Sequence, residues 1–337
     1  MQTAVLTCTL ISCLCSIFGC IGLLLTYIKV IVVRNYIRKL LMFLTLANFV
    51  HVSAKLTGVI AKMSSSNDTS VTTNTTTLCK AQGVISAYAP MAMFLWSTVI
   101  AIYFHSHVLQ TSCRETLASV PSSIVCHCIC WIVPAIVCFV GLHYDVYGET
   151  TKLYMPLGCW IDTDDTRLSH KQQVLWMMLT KIGWECVTFL VVAEVAVYTA
   201  WRLVVLPLLH PRNNHPNCSA VFRDTRLQIH NGLRHADRNF LWAWLIFYGL
   251  RVWGVVRFFL LWASESQNVC EEADILVIVQ AICDPGQAFI DFLLFCVFDK
   301  DVRGHFCGHN SRRQRVNELA ETHPILRRST SLPQSFL

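Results

Sequence analysis

"LIFYGLRVWGVVRFFLL", Leu245 to Leu261, is apolar and aromatic throughout except for two arginines, Arg251 and Arg257. Guanidinium groups keep their charge at any physiological pH. A charge in a membrane helix costs roughly 3 kcal/mol or more unless it faces the bundle interior and finds a partner. The stretch therefore reads as one helix of a membrane-spanning bundle, with its two cations placed at different depths. At about 1.5 Å of rise per residue, Arg251 lies about 16 Å below the outer end of its span, near mid-membrane, and Arg257 only about 8 Å below it.

The surrounding chain fits that setting. Of its 337 residues 54% are hydrophobic and only 14% charged, and a helical crossing of the hydrocarbon core needs about 20 apolar residues. Seven segments meet or approach that length, at about 4–28, 40–61, 80–108, 122–142, 174–204, 240–262 and 275–298. The expected fold is an all-α membrane protein, a seven-transmembrane helix bundle.

Basic residues in short loops set orientation. Arg34, Arg38 and Lys39 follow the first span, six arginines lie in 202–238, and seven basic residues follow position 299. The loop 264–274 has none and carries Glu265, Glu271, Glu272 and Asp274. The expectation is an amino terminus outside (1–3), a seven-span domain (4–298), an amphipathic helix on the inner membrane surface (299–308) and a disordered cytoplasmic tail (309–337). The net charge of +6 restates the basic inner face and calls for no nucleic acid. The first span lacks a basic n-region and a small-residue cleavage site, so it is expected to act as its own anchor.

Two sequons, at Asn67 and Asn74, fall in the loop placed outside by the charge rule, which makes both glycosylation candidates. Most of the seventeen cysteines lie in apolar runs, where they serve as small packing residues. "CHCIC" at 126–130 lacks zinc spacing, and neither a metal nor a cofactor is called for. Cys79, Cys159 and Cys270 face the oxidising side. A Cys79–Cys159 bridge would tie the second outer loop over span three, leaving Cys270 either free or paired with Cys8 or Cys138.

The charged residues within spans are functional candidates. Glu185 on span five and Asp284 on span seven lie about as deep as Arg251 and are its natural counter-ions. With Gln287 and Asp291 on the same face of span seven, they form a candidate intramembrane switch; local hydrogen bonding around Pro285-Gly286 is the plainer account of that stripe. Arg257, Lys55 and Lys181 share a shallower level. Either Arg257 snorkels and Lys181 pairs with Glu185 one turn on, or the three cations line an outward pocket for a small anionic ligand. Tyr88, Trp96 and Trp253 would be its apolar walls, with Trp184, Phe247 and Tyr248 nearby.

Seven spans, an outer amino terminus and a bridge from span three to the second outer loop together resemble a G-protein-coupled receptor. Span three ends in "IYFHSHVLQ" (102–110) without an acidic-Arg-Tyr signal, and span seven has no Asn-Pro-x-x-Tyr, unlike the rhodopsin-like class. Gln287, Cys296, Val302 and Arg303 resemble the Gln-Gly…Cys…Val-Arg pattern of the secretin and cyclic-AMP-receptor-like group, with Ala288 in place of the glycine. The blocks "LLMFLTLA" (40–47), "FLWSTVIAIY" (94–103), "GCWID" (158–162), "VLWMMLT" (174–180) with Trp184-Glu185, and "GLRVW" (249–253) followed by "VRF" extend the resemblance over about residues 35–303.

The resemblance implies an orphan receptor at the plasma membrane, with the ciliary membrane left open, that passes an external signal from an unknown ligand to a heterotrimeric G protein. The inner ends of spans three, five and six, with the loop 205–239, would meet that partner. A polytopic transporter or channel is the alternative, and enzyme motifs such as His-Glu-x-x-His or Gly-x-Ser-x-Gly are absent. After span seven, Cys307 is a palmitoylation candidate that would add a membrane-lipid contact. Ser329 and Ser331 in "LRRSTSLPQSFL" are phosphorylation candidates, to be read by 14-3-3 proteins or arrestin.

Overall fold

The computed structural model describes residues 2–31, 34–65, 73–108, 116, 119–150, 158–163, 168–201, 235–263 and 270–306. Seven long helices cross it: α1 (Gln2–Lys29), α2 (Tyr36–Ser65), α3 (Thr73–Val108), α4 (Val120–His143), α5 (His170–Met177, continuing as Gly183–Ala200), α6 (His235–Ala263) and α7 (Cys270–Phe292). A short helix, α8 (Lys300–Phe306), follows. Among the described residues six helices, α1 to α5 and α7, are long and apolar enough to cross a membrane by length and composition. At 29 residues α6 exceeds the required length as well.

The faces explain why these segments are helices and how they pack. Ile11, Leu14, Phe18, Ile21 and Leu25 of α1 are exposed at helical spacing, while Ser12, Ser16 and Cys20 between them are buried, as expected of a helix with one lipid face and one bundle face. The α3 run Met91–Phe94 is fully buried, and a helix apolar on all sides belongs in the centre. It packs against α2, α5, α4 and a two-stranded hairpin. On α4, Ile124, Ile129, Ile132, Ile136 and Phe139 point outward, so that helix is peripheral.

Among the described residues, five-residue π turns stand at Cys128–Ile132 in α4, Met178–Ile182 in α5 and Leu293–Val297 after α7. Such turns rotate the residues beyond them relative to those before. In α5 the turn contains Lys181 and ends just before Glu185.

The contact of α1 with α7 accommodates a proline. Pro285 lies inside α7 and has no N–H to give the preceding turn. Hydroxyl groups of α1 donate to carbonyls near that turn, Ser12 Oγ to Ile282 O at 2.7 Å and Ser16 Oγ to Pro285 O. The helices come close enough for this because of Gly19, where a Cβ would stand 2.6 Å from the Ala288 carbonyl oxygen.

A two-stranded antiparallel hairpin, β1 (Tyr147–Glu149) and β2 (Cys159–Ile161), covers one end of α3. The Cys79–Cys159 disulfide ties it there. Tyr147 is buried with its ring against Gly141 and Gly83, and that burial pushes its phenol well above the ordinary range. Lys80 Nζ pairs with Asp145 Oδ1 at 2.5 Å on the same rim. Cys8 and Cys138 carry free thiols, so neither is the partner of Cys270, whose side chain lies outside the described residues.

Apolar side chains form two main clusters. One joins Tyr147, Trp160, Met177 and Phe258 beneath the hairpin; the other joins Leu23, Leu41, Trp96, Phe104 and Phe295 toward the opposite end. Along α7 the order is Val277, then Gln280, Asp284, Gln287 and Asp291, then Phe295. Along α2 it is Ala47, then His51 and Lys55, then Val59. A polar layer is thus held between apolar ends.

Candidate functional site

The polar layer is built by helices α2, α5, α6 and α7. Lys55 Nζ of α2 lies 3.3 Å from Asp284 Oδ2, and Lys181 Nζ of α5 lies 3.5 Å from the same oxygen. Gln280 Nε2, one turn before Asp284 on α7, donates to that oxygen at 3.3 Å. Arg257 Nη1 donates to Gln280 Oε1 at 2.8 Å, which links α6 into the chain of contacts. Asp284 is 2% exposed. A carboxylate so deeply buried is tolerated only with strong partners, and here two ammonium groups and an amide provide them.

Arg251 is wholly buried. Its Nε and Nη2 donate to Gln287 Oε1 at 3.3 and 3.2 Å, and its guanidinium carbon stands 5.6 Å from the centre of the Phe94 ring. The sequence points to Glu185 or Asp284 as its counter-ion, and the structure corrects that pairing: among the described residues Arg251 forms no ion pair. Depth along a helix does not fix azimuth, and Asp284 is turned toward the two lysines. The in-helix pair of Lys181 with Glu185 is likewise replaced by Lys181 with Asp284. Glu185 is 1% exposed, and neither of its carboxylate oxygens has a hydrogen-bond partner among the described residues. The same holds for Nη1 of Arg251 and both ring nitrogens of His51.

The structure therefore brings Lys55, Lys181, Asp284 and, through Gln280, Arg257 into one group. Arg251 with Gln287 forms a second group one turn farther along α7, where Asp291 is also buried. The expected aromatic walls do not surround the cations. Trp96 stacks on Phe43 at 5.0 Å and meets His127 and Trp131, in the cluster away from the hairpin. Trp253 is half-exposed, because it is two residues and so about 200° around the helix from the buried Arg251. Tyr88 packs against Trp131 at 6.4 Å in the hairpin-end cluster. Trp160 of β2 approaches Lys181, whose Nζ is 6.0 Å from its ring centre. Phe247's side chain lies outside the described residues.

Two participants are missed by sequence reasoning. Gln280 completes the spacing 280, 284, 287, 291 on one helical face, a signal present in the chain. Arg38, counted only as a topology-setting charge, is buried; its Nη2 pairs with Asp299 Oδ2 at 2.5 Å and its Nη1 donates to Phe295 O at 2.9 Å. Asp299 also receives the Val302 N–H on Oδ1 at 3.2 Å, capping α8. Asn74 falls in the first turn of α3 with its side chain outside the described residues, and Asn67, Cys307, Ser329 and Ser331 lie outside them entirely.

Seven apolar helices around a buried ionic layer, closed at one end by a disulfide-tied hairpin, define a membrane receptor bundle. The sequence profile of the seven-transmembrane receptors of the secretin family matches residues 2–200. The chain belongs to that family. It is a multi-pass plasma-membrane receptor and not an enzyme. Its curated relatives include G-protein coupled receptor 157 of Homo sapiens, 27% identical over 303 residues that cover 87% of this chain and 80% of the relative. The same receptor of Rattus norvegicus is 26% identical over 305 residues, with 87% and 82% covered. That of Mus musculus is 25% identical over 297 residues, with the same shares covered.

Proposed function

We propose that this receptor responds to a small anionic extracellular ligand and couples to a heterotrimeric G protein. The observation that carries the ligand class is the meeting of Lys55 and Lys181, from separate helices, at one carboxylate oxygen. Arg257 adds a third cation through Gln280. Cations held inside a helix bundle are costly unless they meet negative charge, so a group of three selects an anion.

The switch of this receptor is the ionic layer itself. Arg251, Glu185, Asp284, Gln287 and Asp291 join α5, α6 and α7, and a change in their contacts shifts those helices relative to one another. A two-state element is what coupling between an outer site and an inner partner requires. The amino terminus faces outward and the tail lies in the cytoplasm, where phosphorylated Ser329 and Ser331 recruit arrestin or 14-3-3 proteins and a lipid on Cys307 adds membrane contact.

The test is a panel of G-protein dissociation sensors in cells expressing the full chain, read with and without small organic anions in the medium. Dissociation of one G-protein class above control cells, reduced by Lys181→Gln, is the expected result. Ion current or solute uptake in reconstituted vesicles, with every G-protein sensor silent, would overturn it in favour of a transporter or channel.

A further inference from the structure

Asp284 Oδ2 is contacted by three donors: Lys55 at 3.3 Å, Lys181 at 3.5 Å and Gln280 at 3.3 Å. An ordinary ion pair joins one cation to one carboxylate. Here donors from α2, α5 and α7 converge on one oxygen, which is the way a site coordinates a bound monovalent anion. The anion in this case is tethered to α7. Glycine at position 254 keeps α6 clear of it: a Cβ there would stand 3.0 Å from Gln280 Nε2 and 3.9 Å from Asp284 Oδ1.

Direct contacts at the site leave charge unbalanced. Of the buried carboxylates Asp284, Glu185 and Asp291, Asp284 alone meets a cation among the described residues, and Lys55 and Lys181 share it. Glu185 neutralises none of the cations by direct contact, since its oxygens have no hydrogen-bond partner among the described residues. In a medium of low dielectric such a cluster attracts a further negative charge.

We propose that Asp284 is a built-in anion occupying the ligand site, and that the ligand is a small carboxylate which takes its place on Lys55 and Lys181. The proposal rests on the anion-receptor reading above. The incoming carboxylate accepts the hydrogen bonds of both lysines and of Gln280, and the Asp284 side chain swings free. Asp284 immediately precedes Pro285, where α7 lacks one N–H of its own ladder and hydroxyls of α1 contact the Ile282 and Pro285 carbonyls. Loss of the lysine contacts therefore acts at the point where α7 bends most easily. A tethered carboxylate competes at an effective concentration of about millimolar or higher, so a simple monocarboxylate binds the native receptor weakly.

The test removes the tether. Full-length Asp284→Ala receptor, purified in detergent, is melted in about 100 mM sodium acetate and in sodium methanesulfonate at equal ionic strength. If acetate fills the vacated position at ten times its dissociation constant, the melting temperature rises by about 2 °C. The wild-type receptor shifts by less than about 1 °C, because its own carboxylate holds the site. No shift in Asp284→Ala, or an equal shift in Asp284→Ala carrying Lys55→Gln and Lys181→Gln, overturns the proposal. If Asp284→Ala is not recovered folded, Asp284→Asn keeps the shape and frees the same two charges. Acetate must then stabilise Asp284→Asn, and its failure to do so overturns the proposal equally. The sensor panel separates this from the receptor reading. Acetate stabilisation with all G-protein sensors silent supports the site and overturns the coupling; coupling without acetate stabilisation overturns the site alone.

Discussion

Asp299 has two tasks at the junction of α7 and α8, and substitutions can part them. One oxygen pairs with Arg38 at 2.5 Å with both side chains 7% exposed, and the other caps the Val302 N–H. Asp299→Ala removes both. Leaving a buried guanidinium without its carboxylate costs about 3–5 kcal/mol, and loss of a cap about 1 kcal/mol more. Asp299→Asn keeps the cap, since asparagine caps as well as aspartate. Arg38 also keeps the Phe295 carbonyl at 2.9 Å and the Phe295 ring at 4.8 Å. The amide then turns its NH2 toward the guanidinium, so the buried charge again lacks its carboxylate and the loss is about 3–5 kcal/mol, without the further loss of the cap. Arg38→Met leaves the cap intact and a buried carboxylate unpaired, at about 3 kcal/mol or more. Thermal unfolding followed with a thiol-reactive fluorophore reports these losses, because Cys13, Cys20 and Cys130 are buried until the bundle opens. Amide exchange over Lys300–Phe306 reports the cap, with protection about fivefold lower in Asp299→Ala than in Asp299→Asn. Equal α8 exchange in those two variants would refute the cap, and Arg38→Met melting with the wild type would refute the pair.

Other expectations follow from single contacts. Gly19→Ala places its methyl group 2.6 Å from the Ala288 carbonyl oxygen and 2.7 Å from the Phe289 Cα; backbone cannot give way, so it destabilises by about 1–3 kcal/mol in thermal melts. Gly249→Ala, with nothing within 4 Å of its new Cβ, is neutral or stabilising by up to about 1 kcal/mol in the same assay. Cys159→Ser opens a bridge spanning 80 residues and costs about 4 kcal/mol by chain entropy; Cys79→Ser with Cys159→Ser matches the single variant in melting temperature and surface expression. Arg251→Leu changes basal G-protein signalling or folding far more than Arg257→Leu, and unchanged expression and signalling in the Arg251 variant would count against the core as a switch.

The seven helices are legible because a lipid-facing stripe such as Ile11, Leu14, Phe18 and Ile21 needs only the 3.6-residue period to be seen. The Cys79–Cys159 bridge is legible because few cysteines lie outside apolar runs. Partner choice within the bundle is much less so. Rise per residue groups Lys55 and Lys181 near one level but sets Asp284 deeper, beside Arg251, whereas in the structure its carboxylate meets the two lysines; side-chain reach and the azimuth of each helix, which depends on packing, decide the partner. The π turn at Met178–Ile182 shifts that azimuth in α5, and Glu185 is left without the partner its depth suggests. Trp96 and Trp253 fail as pocket walls for the same reason. Arg38 is hidden by a different rule: a basic residue just after the first span serves orientation equally well whether it is solvated or, as here, buried against Asp299.

The two ionic groups differ in what they can do. Arg38 and Asp299 are a closed pair, with the guanidinium bonded to a carboxylate and a carbonyl and the carboxylate also used as a helix cap. Such an arrangement fixes the α7–α8 corner to α2 and gains nothing from an added ion. The group around Asp284 is open: two ammonium groups share one oxygen, Arg257 reaches it only through the amide of Gln280, and Glu185 and Nη1 of Arg251 have no hydrogen-bond partner among the described residues. Buried polar groups left unsatisfied destabilise the arrangement that contains them, so a competing arrangement lies close in energy. A bundle that needs one rigid contact and one able to change would be expected to divide its ionic contacts in this way, and the openness of the Asp284 group is why the proposed anion is assigned to it rather than to the Arg38 pair.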